Sequence, residues 1–291
     1  DVTRTTAYCD YNAGAPVRPE AADAVARALT LGGNPSSIHG AGRRAKALIE
    51  EAREIVAGAL DARAENIVFT SGATEALHLA MASAGAASLL YSAVEHDAVH
   101  EHAARKGDAV RIPVDAQGVV DLDALDSLLV AAPKPALVVV QAANNETGII
   151  QPLAELAPII HDGEGLLVAD CSQGTGKLPL PDADIIILSA HKLGGPPGLG
   201  ALLTRDLGLL KPTGGQEKGY RRGTENLPAV MGLAAALEAG FDWMENASRL
   251  RAKLDAAIEA AGGEVVGKAS PRLATIGSYR MPGISASSQL I

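Results

Sequence analysis

Short apolar runs alternate with helical stretches along most of this chain, and that alternation limits the folds open to it. We predict strands at 67–70, 89–91, 109–112, 137–140, 166–169 and 185–188, with an antiparallel return at 201–203. Helices are predicted at 19–31, 41–60, 74–82, 98–105, 122–129 and 153–160. Strands that alternate with helices form βαβ units, so the predicted fold class is α/β, a mostly parallel sheet with helices on both faces.

A second, smaller α+β unit is predicted after the sheet. The Ala-rich stretch 228–261 is predicted to be helical with a break near Gly240, and strands are predicted to begin at Glu264 and Ala274. We therefore divide the chain into a large domain, 12–245, and an incomplete small domain formed by 1–11 and 246–291.

Charge and composition exclude several classes of protein. The formal net charge of −9 disfavours nucleic acids and anionic membranes as partners. Aromatic residues make up only 3% of the chain, too few for base-stacking platforms. No apolar run approaches the ~20 residues that span a bilayer. The two cysteines, Cys9 and Cys171, cannot form a disulfide framework, which predicts a reducing, cytoplasmic location.

Two predicted strands are followed by side chains of opposite charge. The apolar run 185–188 leads into Lys192, and the run 166–169 ends at Asp170. A desolvated lysine loses its proton more easily and becomes a nucleophile able to form a Schiff base. Asp170 could pair with a protonated ring nitrogen, and Gln173 with a phenolic oxygen. This combination indicates the aldehyde cofactor pyridoxal phosphate (PLP).

The strand-to-helix turn at 70–74 is a candidate phosphate site. The first turn of a helix offers free N–H groups and a positive dipole end, which attract anions. Ser71 and Thr74 add hydroxyl groups there, while Ser189 and His191 could add donors from the strand that precedes the lysine. The alternative is a purely structural turn.

Three further features are candidates for the site. His96 follows the strand at 89–91, where an imidazole could stack on a cofactor ring and carry protons, or could be solvated and idle. The segment 144–148, with Asn144 and Asn145, follows the strand at 137–140. An asparagine amide there could hold a substrate carboxylate or the cofactor's phenolic oxygen, or the segment could be an Asx turn. The glycine-rich basic loop, residues 214–224, is either an exposed loop or a phosphate contact that reaches a neighbouring subunit.

Other interpretations of these residues stay open at this point. Asp170 could cap a helix that begins at Ser172. His96 and His100 have the i,i+4 spacing of two metal ligands, although nothing else supports a metal there. A nucleotide could occupy the phosphate turn, but the chain lacks both G-x-x-x-x-G-K-[ST] and a G-x-G-x-x-G fingerprint after a strand.

Taken in order, the motifs resemble those of the cysteine desulfurases, PLP enzymes of fold type I in the class V aminotransferase-like branch. The matching segments are 11–13 with Pro16, 33–37 with His39, 70–75, 95–96, 144–148, Asp170 with Gln173, 189–192 and 222–226. They cover nearly the whole chain. The resemblance implies a mostly parallel seven-stranded sheet sandwiched by helices.

The resemblance also implies a role for each matching residue. Lys192 would bind PLP covalently and move the α-proton, and His96 would stack on the ring as an acid/base. Asp170 would face the pyridine nitrogen and Gln173 the phenolic oxygen. The residues that hold the phosphate would be Ala73, Thr74, Ser189 and His191, with Thr224 from the other subunit of a homodimer. Those near the substrate would be Asn145 and Asn12.

The implied reaction converts L-cysteine to L-alanine and leaves the sulfur as a persulfide on an enzyme cysteine. A sulfur-acceptor or cluster-scaffold protein would then carry it into iron–sulfur cluster assembly or thiolation. The family's persulfide cysteine and carboxylate-binding arginine match no residue here. We expect neither Cys9 nor Cys171 to accept sulfur. A 291-residue form is expected to be catalytically crippled, and the parent protein to be longer and active.

The resemblance leaves alternatives and departures. Selenocysteine lyase and cysteine-sulfinate desulfinase use the same cofactor, and a non-catalytic PLP-bound scaffold would need no acceptor cysteine. His78, Val168 and Cys171 stand where the family usually has asparagine, histidine and alanine. These departures concern the tuning of the site rather than cofactor binding.

Overall fold

The computed structural model describes residues 7–283, and a seven-stranded sheet forms the centre of that part. The strands are β1 (Ile67–Thr70), β2 (Ser88–Ser92), β3 (Val110–Ile112), β4 (Ala136–Gln141), β5 (Gly165–Asp170), β6 (Ile185–Ser189) and β7 (Gly200–Thr204). Their order across the sheet is β1-β7-β6-β5-β4-β2-β3. Strand β7 is antiparallel to β1 and β6, and the other pairs are parallel, as predicted.

Helices cover both faces of the sheet. They are α1 (Pro19–Leu29), α2 (Gly40–Ala59), α3 (Ala73–Ser83), α4 (Asp97–Lys106), α5 (Leu122–Ala131), α6 (Leu153–Asp162), α7 (Leu227–Glu238) and α8 (Met244–Ala260). Successive side chains of a strand point to opposite faces. Val138 and Val140 of β4 accordingly lie in the core beneath α2, α6 and α7, while Leu137 and Val139 lie beneath α3 and α4. The predicted α/β class is confirmed.

The predicted break near Gly240 separates α7 from α8. Gly240 has φ 67°, a left-handed conformation that ends the helix and favours glycine. Arg18 stabilises this helix end, because its Nη1 donates to the carbonyl oxygens of Ala236 and Gly240 at 3.0 and 2.7 Å.

The small sheet differs in part from the prediction. Strand β8 (Glu264–Val265) pairs antiparallel with β9 (Tyr279–Arg280). The prediction that a strand begins at Ala274 is wrong. Leu273 and Ile276 instead close a turn, with Ile276 N donating to Leu273 O at 3.1 Å, and bury their side chains against Ala143. The prediction failed because the buried apolar side chains at the two ends of this turn give the same local sequence pattern as a strand.

The division into domains at residue 245 stays a prediction. Residues 1–6 and 284–291 of the predicted small domain lie outside the described residues. Across residues 7–283, every helix is too short or too polar to cross a bilayer.

Candidate active site

A cavity of about 570 Å³ opens at the carboxyl ends of β1, β2, β4, β5 and β6. Nine of the predicted site residues line it: Asn12, Ala73, Thr74, His96, Asn145, Asp170, Ser189, His191 and Lys192. Gln173 lies in a narrow adjoining cleft that His96, Asp170 and Lys192 share. Thr224 lines neither space, so the chain's own fold does not bring it to its own cavity.

The phosphate turn combines an uncapped helix with a close backbone crossing. Helix α3 begins at Ala73, and its N-cap, Gly72, supplies no side-chain hydrogen bond. Free N–H groups and the positive end of the helix dipole therefore face the cavity. Gly200 of β7 runs directly beneath, where an added Cβ would lie 2.5 Å from the Gly72 carbonyl carbon. The turn is suited to an anion.

Ser189 and His191 flank this turn from the end of β6. Ser189 Oγ lies 3.0 Å from His191 Nδ1, and both side chains line the cavity. Burial, and then the positive charge of Lys192, lowers the pKa of His191. The imidazole is therefore neutral near pH 7 and serves as a hydrogen-bond partner rather than as a fixed cation.

Lys192 is half-buried at the base of the cavity. Burial lowers the pKa of its ammonium group, and the carboxylates of Asp170 and Glu146 partly oppose that effect. A larger fraction of the amine is thus neutral at a given pH than for an exposed lysine. A neutral amine is what attack on an aldehyde requires.

Asp170 ends β5 with its side chain 7% exposed. Its Oδ1 accepts a hydrogen bond from Ser172 N at 2.9 Å. The helix that Asp170 could have capped is absent from the structure: residues 171–175 form a tight turn, closed by Thr175 N and Cys171 O at 2.8 Å. The helix interpretation of Asp170 is therefore wrong, and the carboxylate faces the cavity.

Two buried polar atoms beside Asp170 have no hydrogen-bond partner among residues 7–283. They are Ser172 Oγ and Gln173 Oε1. Gln173 Nε2 donates to Asn12 O at 2.9 Å, which leaves its second hydrogen for another acceptor. Buried polar groups are nearly always paired in native proteins. These orphaned atoms, together with the uncapped helix, fit a polar ligand that carries an anionic group.

His96 is held at the rim as the N-cap of α4. Its Nδ1 accepts a hydrogen bond from Ala98 N at 3.1 Å, so the neutral ring carries its hydrogen on Nε2. The side chain is exposed and lines the cavity. His100 instead lies edge-on to Tyr91, with ring centroids 5.4 Å apart. Residues 7–283 contain no group of three or more His, Cys, Asp or Glu side chains able to hold a metal ion.

The two adjacent asparagines have different surroundings. Asn144 is structural: its Oδ1 accepts from Glu146 N and Thr147 N at 3.0 and 2.9 Å, the geometry of an Asx turn. Asn145 is the one that lines the cavity, with Nδ2 donating to Glu146 Oε1 at 2.7 Å. The Asx-turn interpretation is therefore confirmed for Asn144, and substrate binding by Asn145 stays a prediction.

Sequence reasoning missed two ionisable groups with shifted pKa values, a buried glutamate and a half-buried lysine. Glu95, 6% exposed, accepts from Gln141 N at 2.8 Å, and burial raises its pKa well above the ordinary value. Its position next to His96, three residues after the end of β2, is a signal that the sequence offers. Lys177 has its pKa lowered to about 8 by burial and by the charges of Lys192 and Arg18. No local pattern marks Lys177, because its surroundings are assembled from distant segments.

Known proteins match both the sequence and the fold. The Aminotransferase class-V profile matches residues 7–288. The cysteine desulfurase of Cereibacter sphaeroides is 40% identical over 262 residues, which cover 84% of this chain and 67% of that protein. This chain belongs to the cysteine desulfurase family. The enzymes of the family depend on PLP, so the cofactor inferred from Lys192 and Asp170 is the family's own.

Other relatives agree with this assignment. An IscS-like cysteine desulfurase of Mycobacterium tuberculosis is 36% identical over 281 residues, 89% of this chain and 72% of that protein. The structure of a NifS-like protein from Rickettsia africae superposes with a TM-score of 0.91 at 31% identity, covering 97% of this chain and 83% of that one. The structure of SspA in complex with cysteine gives a TM-score of 0.82 at 27% identity, covering 91% and 81%. The predicted family and fold type are confirmed.

Proposed function

We propose that this chain is a PLP-dependent cysteine desulfurase that converts L-cysteine to L-alanine and gives up the sulfur to a thiol. One observation carries the proposal. The amine of Lys192, the carboxylate of Asp170 and the uncapped N-terminus of α3 meet in a single cavity. An amine, an acid and an anion site are the three groups that PLP binding requires.

The chain's own residues would hold the cofactor at three points. The N–H groups of Ala73 and Thr74, with the side chains of Ser189 and His191, would bind its phosphate. The Asp170 carboxylate would keep the proton on the ring nitrogen, and Gln173 would donate to the phenolic oxygen. When bound, PLP supplies an aldehyde and a ring that withdraws electrons from the α-carbon of the substrate.

Proton movement is assigned to Lys192 and His96. The lowered pKa of Lys192 makes its amine available both to bind the cofactor and to accept the α-proton of the substrate. His96 carries its hydrogen on Nε2, since Ala98 N occupies Nδ1, and would exchange protons through Nε2. The two groups lie at the ends of different strands, β6 and β2, and line the same cavity.

L-cysteine is the proposed substrate, supported by the names of the relatives and by the SspA structure with cysteine. Asn145 would contact the substrate from the cavity wall. Asn12 would do so through Oδ1 or through the second hydrogen of Nδ2, because Nδ2 gives only one hydrogen to Thr275 O, at 2.8 Å. Cys171 is 1% exposed, and burial raises the pKa of its thiol, which opposes a role as sulfur acceptor.

A homodimer and a sulfur-accepting partner complete the proposal. Thr224 is exposed and lies outside its own cavity, which suits a contact with the phosphate in a second copy of the chain. The partner would be an acceptor or scaffold protein for iron–sulfur clusters or thiolation.

We also infer a reducing, cytoplasmic compartment, since Cys9 and Cys171 are both unpaired. Cell fractionation tests this inference.

Borohydride trapping tests the covalent link. The chain is incubated with PLP, reduced, digested and mapped by mass spectrometry, and alanine formation from L-cysteine is measured in parallel. We expect a pyridoxyl group on Lys192 and its loss in Lys192→Ala. Lys177→Met is the matched control, because Lys177 is a second half-buried lysine with a lowered pKa. Labelling that persists in Lys192→Ala would refute the assignment.

Substrate comparison separates the related activities. L-cysteine, L-selenocysteine and cysteine sulfinate are offered to the PLP-loaded chain, and alanine is quantified for each. Preference for L-cysteine supports the proposal. Preference for another substrate identifies a lyase or a desulfinase. Binding of PLP without alanine from any of them, when an added thiol is present to accept the sulfur, identifies a scaffold.

A further inference from the structure

The basic loop, residues 214–224, has an unusual backbone. Three successive residues lie in the left-handed region, with φ of 49° at Glu217, 59° at Lys218 and 98° at Gly219. Such conformations cost free energy for residues other than glycine and persist only where the surrounding structure holds them. Something outside the loop must therefore fix its shape.

A buried ion pair supplies that restraint. Arg53 of α2 binds both carboxylate oxygens of Glu217, with Nη1 to Oε2 at 2.7 Å and Nη2 to Oε1 at 2.8 Å. The side chains are 3% and 1% exposed. Bidentate pairs between arginine and a carboxylate fix both distance and orientation. Glu217 is therefore held at the point where the backbone enters the left-handed region.

The same pair connects the loop to β1, the strand that carries the phosphate turn. Arg53 Nη1 also donates to Ile67 O at 2.9 Å, and Glu217 Oε2 accepts from Phe69 N at 2.9 Å. Glu50 receives the remaining Arg53 hydrogens at 3.0 and 3.2 Å. All five N–H groups of the guanidinium are thus used. A lysine at position 53 could not make this set of bonds.

The far end of the basic loop is closed by its own backbone. Gln216 and Arg221 exchange two hydrogen bonds, each 3.0 Å long. Arg221 Nη1 lies 3.4 Å from Phe69 O and 3.9 Å from Glu75 Oε2, at the phosphate turn. Beyond this closure, residues 222–224 are exposed. The basic loop is therefore held in place by residues 216–221, and Thr224 is exposed to solvent.

We propose that Arg53 and Glu217 are positioning residues that hold the basic loop so that Thr224 meets the PLP phosphate of a second copy of the chain. This inference rests on the proposed function. In a two-fold dimer each copy gives and receives the same contact. The basic loop and the phosphate turn are both attached to β1. Each copy therefore holds its Thr224 and its phosphate site at a fixed distance from each other. The loop is then ordered before the second copy arrives, which favours binding.

Two variants test the inference. Arg53→Met/Glu217→Met removes both charges and replaces the pair with apolar groups, so no buried charge is left alone. Glu217→Gln keeps the shape and removes one charge. The matched control is Lys268→Met/Glu259→Met, which deletes an exposed ion pair elsewhere. The measurements are hydrogen exchange of peptides covering the loop and α7, PLP affinity from the cofactor absorbance, and sedimentation velocity.

In the double variant we expect loop amides to exchange about tenfold faster or more, while the amides of α7 keep their wild-type protection. PLP affinity should fall by a similar factor, and the cofactor absorbance band should weaken with it. The control should match the wild type in all three measurements. Melting curves report whether either variant has lost its global fold.

Other outcomes contradict the proposal in different ways. A wild-type chain that binds PLP but sediments as a monomer would overturn the contact with a second copy. Wild-type exchange in the loop of the double variant would overturn the positioning role. A loosened loop with unchanged PLP affinity would overturn the contact with phosphate while leaving the anchor in place. If the wild-type chain itself binds no PLP, the proposed function fails instead, and hydrogen exchange still decides whether the ion pair holds the loop.

Discussion

Gly200→Ala should disrupt the cofactor site from a position that carries no functional group. Gly200 is the first residue of β7 and pairs in register with Thr70 of β1 and with Ser189 of β6. It therefore joins the strand that carries the phosphate turn to the strand that leads to Lys192. Gly200 has no side chain, and its backbone lies in close contact with the backbone of the phosphate turn at Gly72.

The size of the effect follows from the contact distances. A Cβ at position 200 would lie 2.5 Å from the Gly72 carbonyl carbon and 2.8 Å from Ala73 N. Ordinary contact begins at 3.4 Å, so the turn must move by about 0.9 Å. Overpacking of this kind costs about 1–3 kcal/mol. A displacement near 1 Å at a positioned site reduces function by about a hundredfold.

Two measurements check this prediction. Chemical denaturation gives the free energy of unfolding, and absorbance titration gives PLP affinity. The control is Gly58→Ala on the exposed side of α2, where an added Cβ meets nothing within 4 Å and should stabilise the chain by about 0.5–1 kcal/mol. The reasoning is refuted if Gly200→Ala retains wild-type stability and PLP affinity while Gly58→Ala gains stability.

Three further predictions concern ionisable side chains. Lys177→Met should stabilise the chain by up to about 3 kcal/mol below pH 8, and this gain should disappear as pH rises from 8 to 10.5, where the unfolded chain also loses its proton; denaturation at several pH values measures it. Glu95→Gln should match the wild type in stability near pH 4 and exceed it at pH 8. The pKa of Glu95 is raised in the folded state, so the native wild type loses stability as the pH rises above the pKa of the unfolded chain. Denaturation at both pH values measures this difference, and equal stability at both would contradict it. Alkylation of the native chain should modify exposed Cys9 and spare buried Cys171 until the chain unfolds, and mass spectrometry of both thiols checks it.

Local sequence patterns predict the sheet well, because its strands are apolar on both faces. The bounds of β1 match the prediction to the residue, and those of β5 and β6 differ by one residue at most. Asp170 and Lys192 were found from their positions at strand ends, where parallel sheets bind ligands. The side chains that follow a strand can be predicted from the sequence, because their position depends on residues that are close along the chain.

Contacts between distant segments could not be read in the same way. Asn12 donates to Thr275 O, 263 residues away in sequence, and this bond fixes how its amide is oriented at the cavity. Arg53 and Glu217 are 164 residues apart, and each alone looks like an ordinary surface charge. The burial of Glu95 depends on β4, which supplies Gln141 N. Tertiary packing, rather than local periodicity, sets the chemistry of these groups.

The order of strands in the sheet explains why these residues form one site. Along the carboxyl edge, the phosphate turn follows β1, Lys192 follows β6, Asp170 ends β5, Asn145 follows β4 and His96 follows β2. The chain runs outward from β2 to β3 and in the opposite direction from β4 to β6, so His96 and Asn145 flank the point where the winding reverses. The proposed contacts to phosphate and substrate, together with the amine and the acid, thus follow the order of the strands in the sheet. A one-residue slip of β5 against β6 would turn Asp170 to the other face of the sheet, so the register of this central pair, Asp170 with Ile187, is as necessary to the site as the carboxylate itself.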